Sequence, residues 1–328
     1  MWNAPPKGEH VRIGSISSST GEHGLAVARA PGELIDIRAA VAAAGADSPN
    51  AESLPTARNL KELILAGADE MLRLKALLAW VEERHERGTL PHGVVRLEAQ
   101  TRFFPPISDP GKFLCVGKNY RAHLDELVRT ELIKEIPDEP AGFIKLNEVI
   151  NAHEAQVARP AGIEQFDYEP ELAFVIGRDA HQVGREHAMD HVFGITLFND
   201  LTAREIQRRE VRVGTRFWTA KNMPGFGPIG PYVVTMDEVD DPHQLNISCY
   251  VNGELRSSFT TADMIHRIDR IIEHYSEYVP LHAGDLFATG SAAGVAAGQP
   301  NAAELFLKPG DVVEVVLPGV MTLRNHII

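Results

Sequence analysis

Glu169 and Glu171 stand two residues apart at the head of the apolar run 172–176. In an extended chain that spacing puts both side chains on one face, with their Cβ atoms roughly 6–7 Å apart. Asp200 follows a second apolar run, 192–197, and stands where a strand is expected to give way to a helix. Three carboxylates with no thiolate among them suit a hard divalent cation, Mg2+ or Mn2+, with its remaining positions open to water and substrate oxygens. The same spacing is also met by three ordinary surface acids, and the chain carries 45 Asp and Glu.

Further candidates flank these acids. In GKNYRAHLDE, residues 117–126, His123 and Glu126 are i and i+3 on an expected helix and can touch. A carboxylate beside an imidazole orients it and raises its basicity, as a general base requires, although many such surface pairs do no chemistry. In NDLTAREIQ, Asp200, Arg204 and Gln207 fall at intervals of four and three on one helical face, and Asp200 can alternatively cap that helix. Lys221 precedes the turn-rich MPGFGPIGP. It can set a cation beside carboxylate or enolate oxygens, or be an ordinary surface lysine. The Gly-rich TGSAAGVAAG fits neither phosphate-loop pattern.

The elements that must hold these residues are mostly short strands. Residues 113–116, 143–146, 172–176 and 192–197 read as strands, and 119–130 and 201–210 as helices. NISCYVNGELRSSFT alternates on both sides of Asn252-Gly253 and predicts a hairpin with a type I′ turn. A helix is expected over about 262–278. The last part, residues 303–328, reads as strand, Pro309-Gly310 turn, strand, Pro318-Gly319 turn, strand. Upstream, 11–13 and 25–28 suggest paired strands, and 57–86 is helical with a break at Gly67. Three prolines within 101–111 mark a linker between an N-terminal accessory domain, 1–110, and a catalytic domain, 111–328. Many short strands and few helices of crossover length argue against a doubly wound sheet. They favour an α+β fold, with a mixed-sheet or barrel-like catalytic domain behind a smaller N-terminal α/β domain.

Composition removes several function classes. At roughly 100–200 residues per domain, 328 residues allow two. A net charge of -13 leaves no basic footprint for general nucleic-acid binding. Cys115 and Cys249 are too few for a thiolate cluster or a disulfide framework, and they fit a reducing compartment. No run approaches the roughly 18 apolar residues of a membrane span, and MWNAPPKGEHVRIG has no apolar signal region. A cytoplasmic location without membrane contact is expected.

In this order, FLCVGKNYRAHLDE, DYEPELAFVIG, FGITLFNDLTAREIQ, FGPIGPYVV, VNGELR, LFATGSAAGV and LKPGDVVEVVLPGVMTLRNHI resemble the fumarylacetoacetate hydrolase family over residues 112–328. The resemblance implies a mixed β-roll and a homodimer, with Mg2+ or Mn2+ held by Glu169, Glu171 and Asp200. It implies the His-Glu dyad of the pyruvate-forming branch at His123 and Glu126, on a lid over 118–138, and the family lysine at Lys221. Substrate contacts are implied at Arg204, Gln207, Lys145 and Thr289, with bracing of the acidic ligands as the alternative role of Arg204 and Gln207. The implied activity is metal-dependent hydrolysis of a C–C bond in a small anionic 2,4-dioxo acid, giving pyruvate and a carboxylic acid, in aromatic or sugar-acid breakdown. Isomerisation of a 2-oxo-enoic diacid, oxaloacetate decarboxylation, tautomerisation and related lyase reactions use the same stabilised enolate. A metal-binding protein with decayed catalysis is the remaining alternative. The chain departs from the family pattern at three places: Ser291, Ala292 and Ala296 replace Thr, Pro and Gly; Asn222-Met223-Pro224 replaces Ser-Phe-Asp; and Lys145-Leu146-Asn147 replaces Lys-Pro-Pro.

Overall fold

The computed structural model describes residues 11–18, 21–47, 53–122, 138–215 and 217–328. It is α+β, and its frame is a mixed sheet of twelve strands. The main path runs Val95–Leu97, Glu33–Asp36, His23–Ala30, Arg12–Ser17, Gly227–Thr235, Val192–Asn199, Pro170–Ile176, Leu286–Ala288, Phe113–Gly117, Ala141–Ile144. Pro170–Ile176 pairs antiparallel with both neighbours, and Leu286–Ala288 pairs parallel with Phe113–Gly117.

All seven residues of Pro170–Ile176 are buried. Leu172 and Phe174 face one apolar core, and Ala173 and Val175 face another. A strand covered on both faces reads as a continuous apolar run, which is how this one reads. Each large side chain withdrawn from water there contributes about 1.5–3 kcal/mol.

A second sheet contains Glu254–Thr260, Asn246–Val251, Val312–Leu317, Met321–Ile327 and Gln156–Val157. Here burial alternates, with Val313, Val315 and Leu317 inside. The predicted hairpin forms between Asn246–Val251 and Glu254–Thr260. Its turn residues have φ +54 at Asn252 and φ +78 at Gly253, the left-handed pair that a type I′ turn requires.

The N-terminal strands pair as expected, and Arg12–Ser17 also pairs with Gly227–Thr235, so one sheet runs from the N-terminal segment into the rest of the chain. The helical stretch breaks at Gly67 into Leu60–Ala66 and Ala68–Glu86. Among the described residues no helix is long and apolar enough to cross a membrane.

Three expectations about elements need correction. The helix expected from residue 201 begins at Arg204, because Thr202–Ala203 pairs with Phe166–Asp167. The helix expected from 262 begins at Ile268; Met264 is held instead in a bridge with Tyr120. Ala302–Leu305 is a helical turn where a strand was expected, in keeping with the helix preference of Ala, Glu and Leu. Residues 123–130 of the helix expected over 119–130 lie outside the described residues.

Candidate metal centre

Asp167, Glu169 and Glu171 alternate along the extended segment that joins Phe166–Asp167 to Pro170–Ile176. The neighbouring strand is in register, with Asn199 opposite Pro170. Asp200 therefore arrives beside Glu169. Its N–H donates to the Glu169 carbonyl at 2.8 Å, and the Asn199 side chain accepts the Glu169 N–H at 2.9 Å. Glu169, Glu171 and Asp200 are buried, and each offers an oxygen within 4.8 Å of the other two. They are not surface acids. Asp200 does not cap a helix or share a helical face with Arg204 and Gln207, since the helix starts only at Arg204.

Burying carboxylates together is costly unless cations and N–H donors face them. Lys145 Nζ donates to Asp200 Oδ1 at 2.6 Å and to the Phe226 carbonyl at 3.0 Å. Lys221 donates to Asp200 Oδ2 and Glu169 Oε2. Its ammonium lies over the rings of Phe143 and Phe217, at 5.1 and 5.6 Å. Arg204 places Nη1 at 2.6 Å from Glu169 Oε1 and Nε at 2.7 Å from Asp167 Oδ2. Burial disfavours the Lys221 ammonium, but Asp200 and Glu169 outweigh it and raise its pKa above the ordinary lysine value. Arg204 is likewise raised against burial, by Asp167 and Glu169. Glu171 is pushed well above the usual carboxylate range, first by burial and then by the charge of Asp200.

The loop after Leu286–Ala288 runs along the row of acids. Gly290 N–H donates to Glu171 at 2.8 Å and Ser291 Oγ to Glu169 at 2.9 Å. The N–H groups of Ala296 and Ala297 donate to Asp167 at 2.9 and 3.0 Å. Gly290 has φ +98, and a Cβ there would stand 2.7 Å from the Val116 carbonyl oxygen. Only glycine meets both demands without strain.

The other sequence candidates fall in different places. Gln207 accepts from Arg204 Nη1 at 2.9 Å, so it braces the arginine. The Thr289 hydroxyl donates to the Leu172 carbonyl at 2.9 Å and lies 3.3 Å from the Tyr120 hydroxyl, within the fold. His123 and Glu126 lie outside the described residues. Asp167 had no assigned role, although it is fully buried and joins Arg204 to the loop. Its place two residues before Glu169, in the same alternating row, is the signal that identifies it. The donor set of Glu169, Glu171 and Asp200 is all carboxylate oxygen, which fits a hard divalent cation.

Residues 112–328 match the family described as fumarylacetoacetate (FAA) hydrolase, C-terminal. The chain belongs to the fumarylacetoacetate hydrolase family. One family relative, the oxaloacetate tautomerase YisK of Bacillus subtilis, is 34% identical over 272 residues, 82% of this chain and 86% of the relative. An uncharacterized protein of Staphylococcus epidermidis is 38% identical over 227 residues, 69% of this chain and 71% of its own. Among solved structures, a fumarylacetoacetate hydrolase from Exiguobacterium antarcticum is 29% identical with a TM-score of 0.74, covering 97% of this chain and 99% of that one. The mixed α+β architecture implied by the family resemblance is the one found here.

Proposed function

We propose that this chain is a divalent-metal-dependent enzyme that handles a small 2-oxo acid through its enolate, and that its reaction is keto–enol tautomerisation of oxaloacetate. The observation that carries the reading is the buried trio Glu169, Glu171 and Asp200, with Lys221 reaching two of its members. These acids would hold Mg2+ or Mn2+, which supplies Lewis-acid polarisation of a 2-oxo group and neutralises charge. With Asp167 included, four carboxylates face Lys145, Lys221 and Arg204. The acids outnumber the cations by one, so a dication turns the net charge positive and suits an anionic substrate.

Lys221 can hold its ammonium beside an oxygen that gains charge as the enolate forms. Phe143 and Phe217 screen that ammonium from water. Lys145, Arg204, Gln207 and Thr289 enter as supports of the acids and of the strand that carries them. Tautomerisation moves one proton between C3 and the C2 oxygen and consumes no water, so it needs no placed nucleophile. The likeness to the Bacillus subtilis oxaloacetate tautomerase across most of both chains supports this choice.

Hydrolysis of a C–C bond in a 2,4-dioxo acid is the second reading. It is favoured by the likeness to the Exiguobacterium antarcticum hydrolase and by His123 and Glu126, whose spacing suits a base that takes a proton from water. The Mg2+-loaded protein should speed the decay of the ultraviolet enol band of oxaloacetate above its spontaneous rate. Chelator or Glu171→Gln should lower that acceleration by on the order of 10²–10³-fold. An unaccelerated enol decay with pyruvate released from an acylpyruvate would replace the first reading by the second; no turnover of either substrate would overturn both. The homodimer belongs to the same proposal, and sedimentation velocity reads it directly.

A further inference from the structure

We infer that Asn222 is a positioning residue that sets Lys145 and Lys221 on opposite oxygens of Asp200. Its carboxamide Oδ1 accepts the Leu146 N–H at 2.7 Å, and its Nδ2 donates to the Ile144 carbonyl at 3.1 Å. These two bonds bracket Lys145 as a rung of strand pairing would. Lys145 sends its ammonium to Asp200 Oδ1. Lys221 directly precedes Asn222 and sends its ammonium to Asp200 Oδ2 and to Glu169. One side chain therefore ties the backbone under one lysine to the backbone under the other.

The segment that carries Lys221 needs such a tie. Trp218–Lys221 is a single helical turn without a side-chain cap, and one turn is not stable by itself. The Glu210 carboxylate holds its start, accepting the N–H of Thr219 at 2.5 Å and of Ala220 at 3.4 Å. Asn222 holds its end. Residues 146 and 222 are also two of the places where the chain departs from the family pattern, with Leu for Pro and Asn for Ser. A proline at 146 has no N–H to donate, and a serine hydroxyl at 222 is too short to span both backbone groups. The two departures meet here as one hydrogen bond.

The inference rests on the proposed function only for its consequence, that Lys221, fixed beside an Asp200 that Lys145 braces, aids binding of an enolate. The test separates the two. Asn222→Ala removes the carboxamide. Leu146→Pro removes the N–H from the other side, at a residue whose φ of -77 a proline accepts. Lys145 and Lys221 are buried at 1% and 3% exposure, so reductive methylation read by mass spectrometry reports their release. The buried Cys249 thiol, probed in a parallel reaction with a thiol-alkylating reagent, serves as the control for general loosening. Each variant should speed methylation of Lys221 at least about tenfold and leave Cys249 unlabelled. Each should also weaken oxalate, an enolate mimic, by about tenfold on the Mg2+-loaded protein. The double variant should be no worse than the worse single, because the bond that Leu146→Pro breaks is one of the two that Asn222→Ala removes. Unchanged methylation, labelling of Cys249, or effects that multiply in the double variant would overturn the inference. If the wild-type protein ignores oxalate, the proposed function fails, and the methylation rates still decide the role of Asn222.

Discussion

Asp167 shows how much of the centre depends on residues one contact away from a metal ligand. It accepts the Nε of Arg204, whose Nη1 lies on Glu169. Asp167→Asn keeps the size of the side chain but strips the charge that faces Arg204. The arginine is then left to lean on Glu169, in competition with a cation. Loss of such an outer partner costs roughly 10–100-fold in metal affinity, and breaking a buried ion pair costs about 3–5 kcal/mol of stability. Calorimetric titration of Mg2+ into Asp167→Asn should show that weakening, and urea unfolding should show the lost stability. An unchanged isotherm would leave Asp167 as a fastening of the loop alone. At this scale the sequence was partly legible. Alternation put Glu169 and Glu171 on one face, and the same rule reaches Asp167. Nothing local pairs Arg204 with Asp167, because their contact needs two segments 37 residues apart to meet.

Gly227–Thr235, a strand of nine buried residues, ends in the turn Met236–Glu238. Burial, and then the charge of Asp237, push the Glu238 carboxyl up to about 8 from an ordinary 4.5. The folded protein therefore binds more protons here than the unfolded chain between those two values. The stability cost is absent below about pH 4.5, grows as pH rises, and is complete above about pH 8. Glu238→Gln removes the charge and should raise the melting temperature at pH 8 by roughly 2–4 °C, with no gain at pH 4. A gain of equal size at both pH values would assign the effect to packing rather than to ionisation. Sequence periodicity showed the strands at 172–176 and 192–197, the hairpin and the break at Gly67, since those follow from local patterns, but it read the start of Gly227–Thr235 as part of a turn-rich stretch. It placed two helix starts wrongly, at 201 and 262. In each case residues with helical periodicity pair with a distant segment, Thr202–Ala203 with Phe166–Asp167 and Met264 with Tyr120.

For the whole molecule, the centre stores a liability that a dication would relieve. The ends of two neighbouring strands of the large sheet bring the three acids together, and Glu171 is held against its ionisation by burial and Asp200. A cation bound only by the folded chain adds about 2.7 kcal/mol at a concentration 100 times its dissociation constant. Differential scanning calorimetry should show a higher melting temperature with Mg2+ than with chelator, reversibly, and Glu171→Gln should lose most of the difference. Equal melting temperatures with and without Mg2+ would argue that these acids do not hold the ion.

The order of motifs along residues 112–328, the two-residue spacing of Glu169 and Glu171, the Asn252-Gly253 turn and the break at Gly67 were all decided by the sequence, because each depends on neighbours within a few residues. The convergence of Asp200 on that pair depended on strand register, with Asn199 opposite Pro170. The division of labour among the cations likewise required the fold: Lys145 and Lys221 reach Asp200 from 55 and 21 residues away. Charge type can be read from a residue's letter. Which oxygen each charge faces is set by packing between distant strands, and only the tertiary structure decides it.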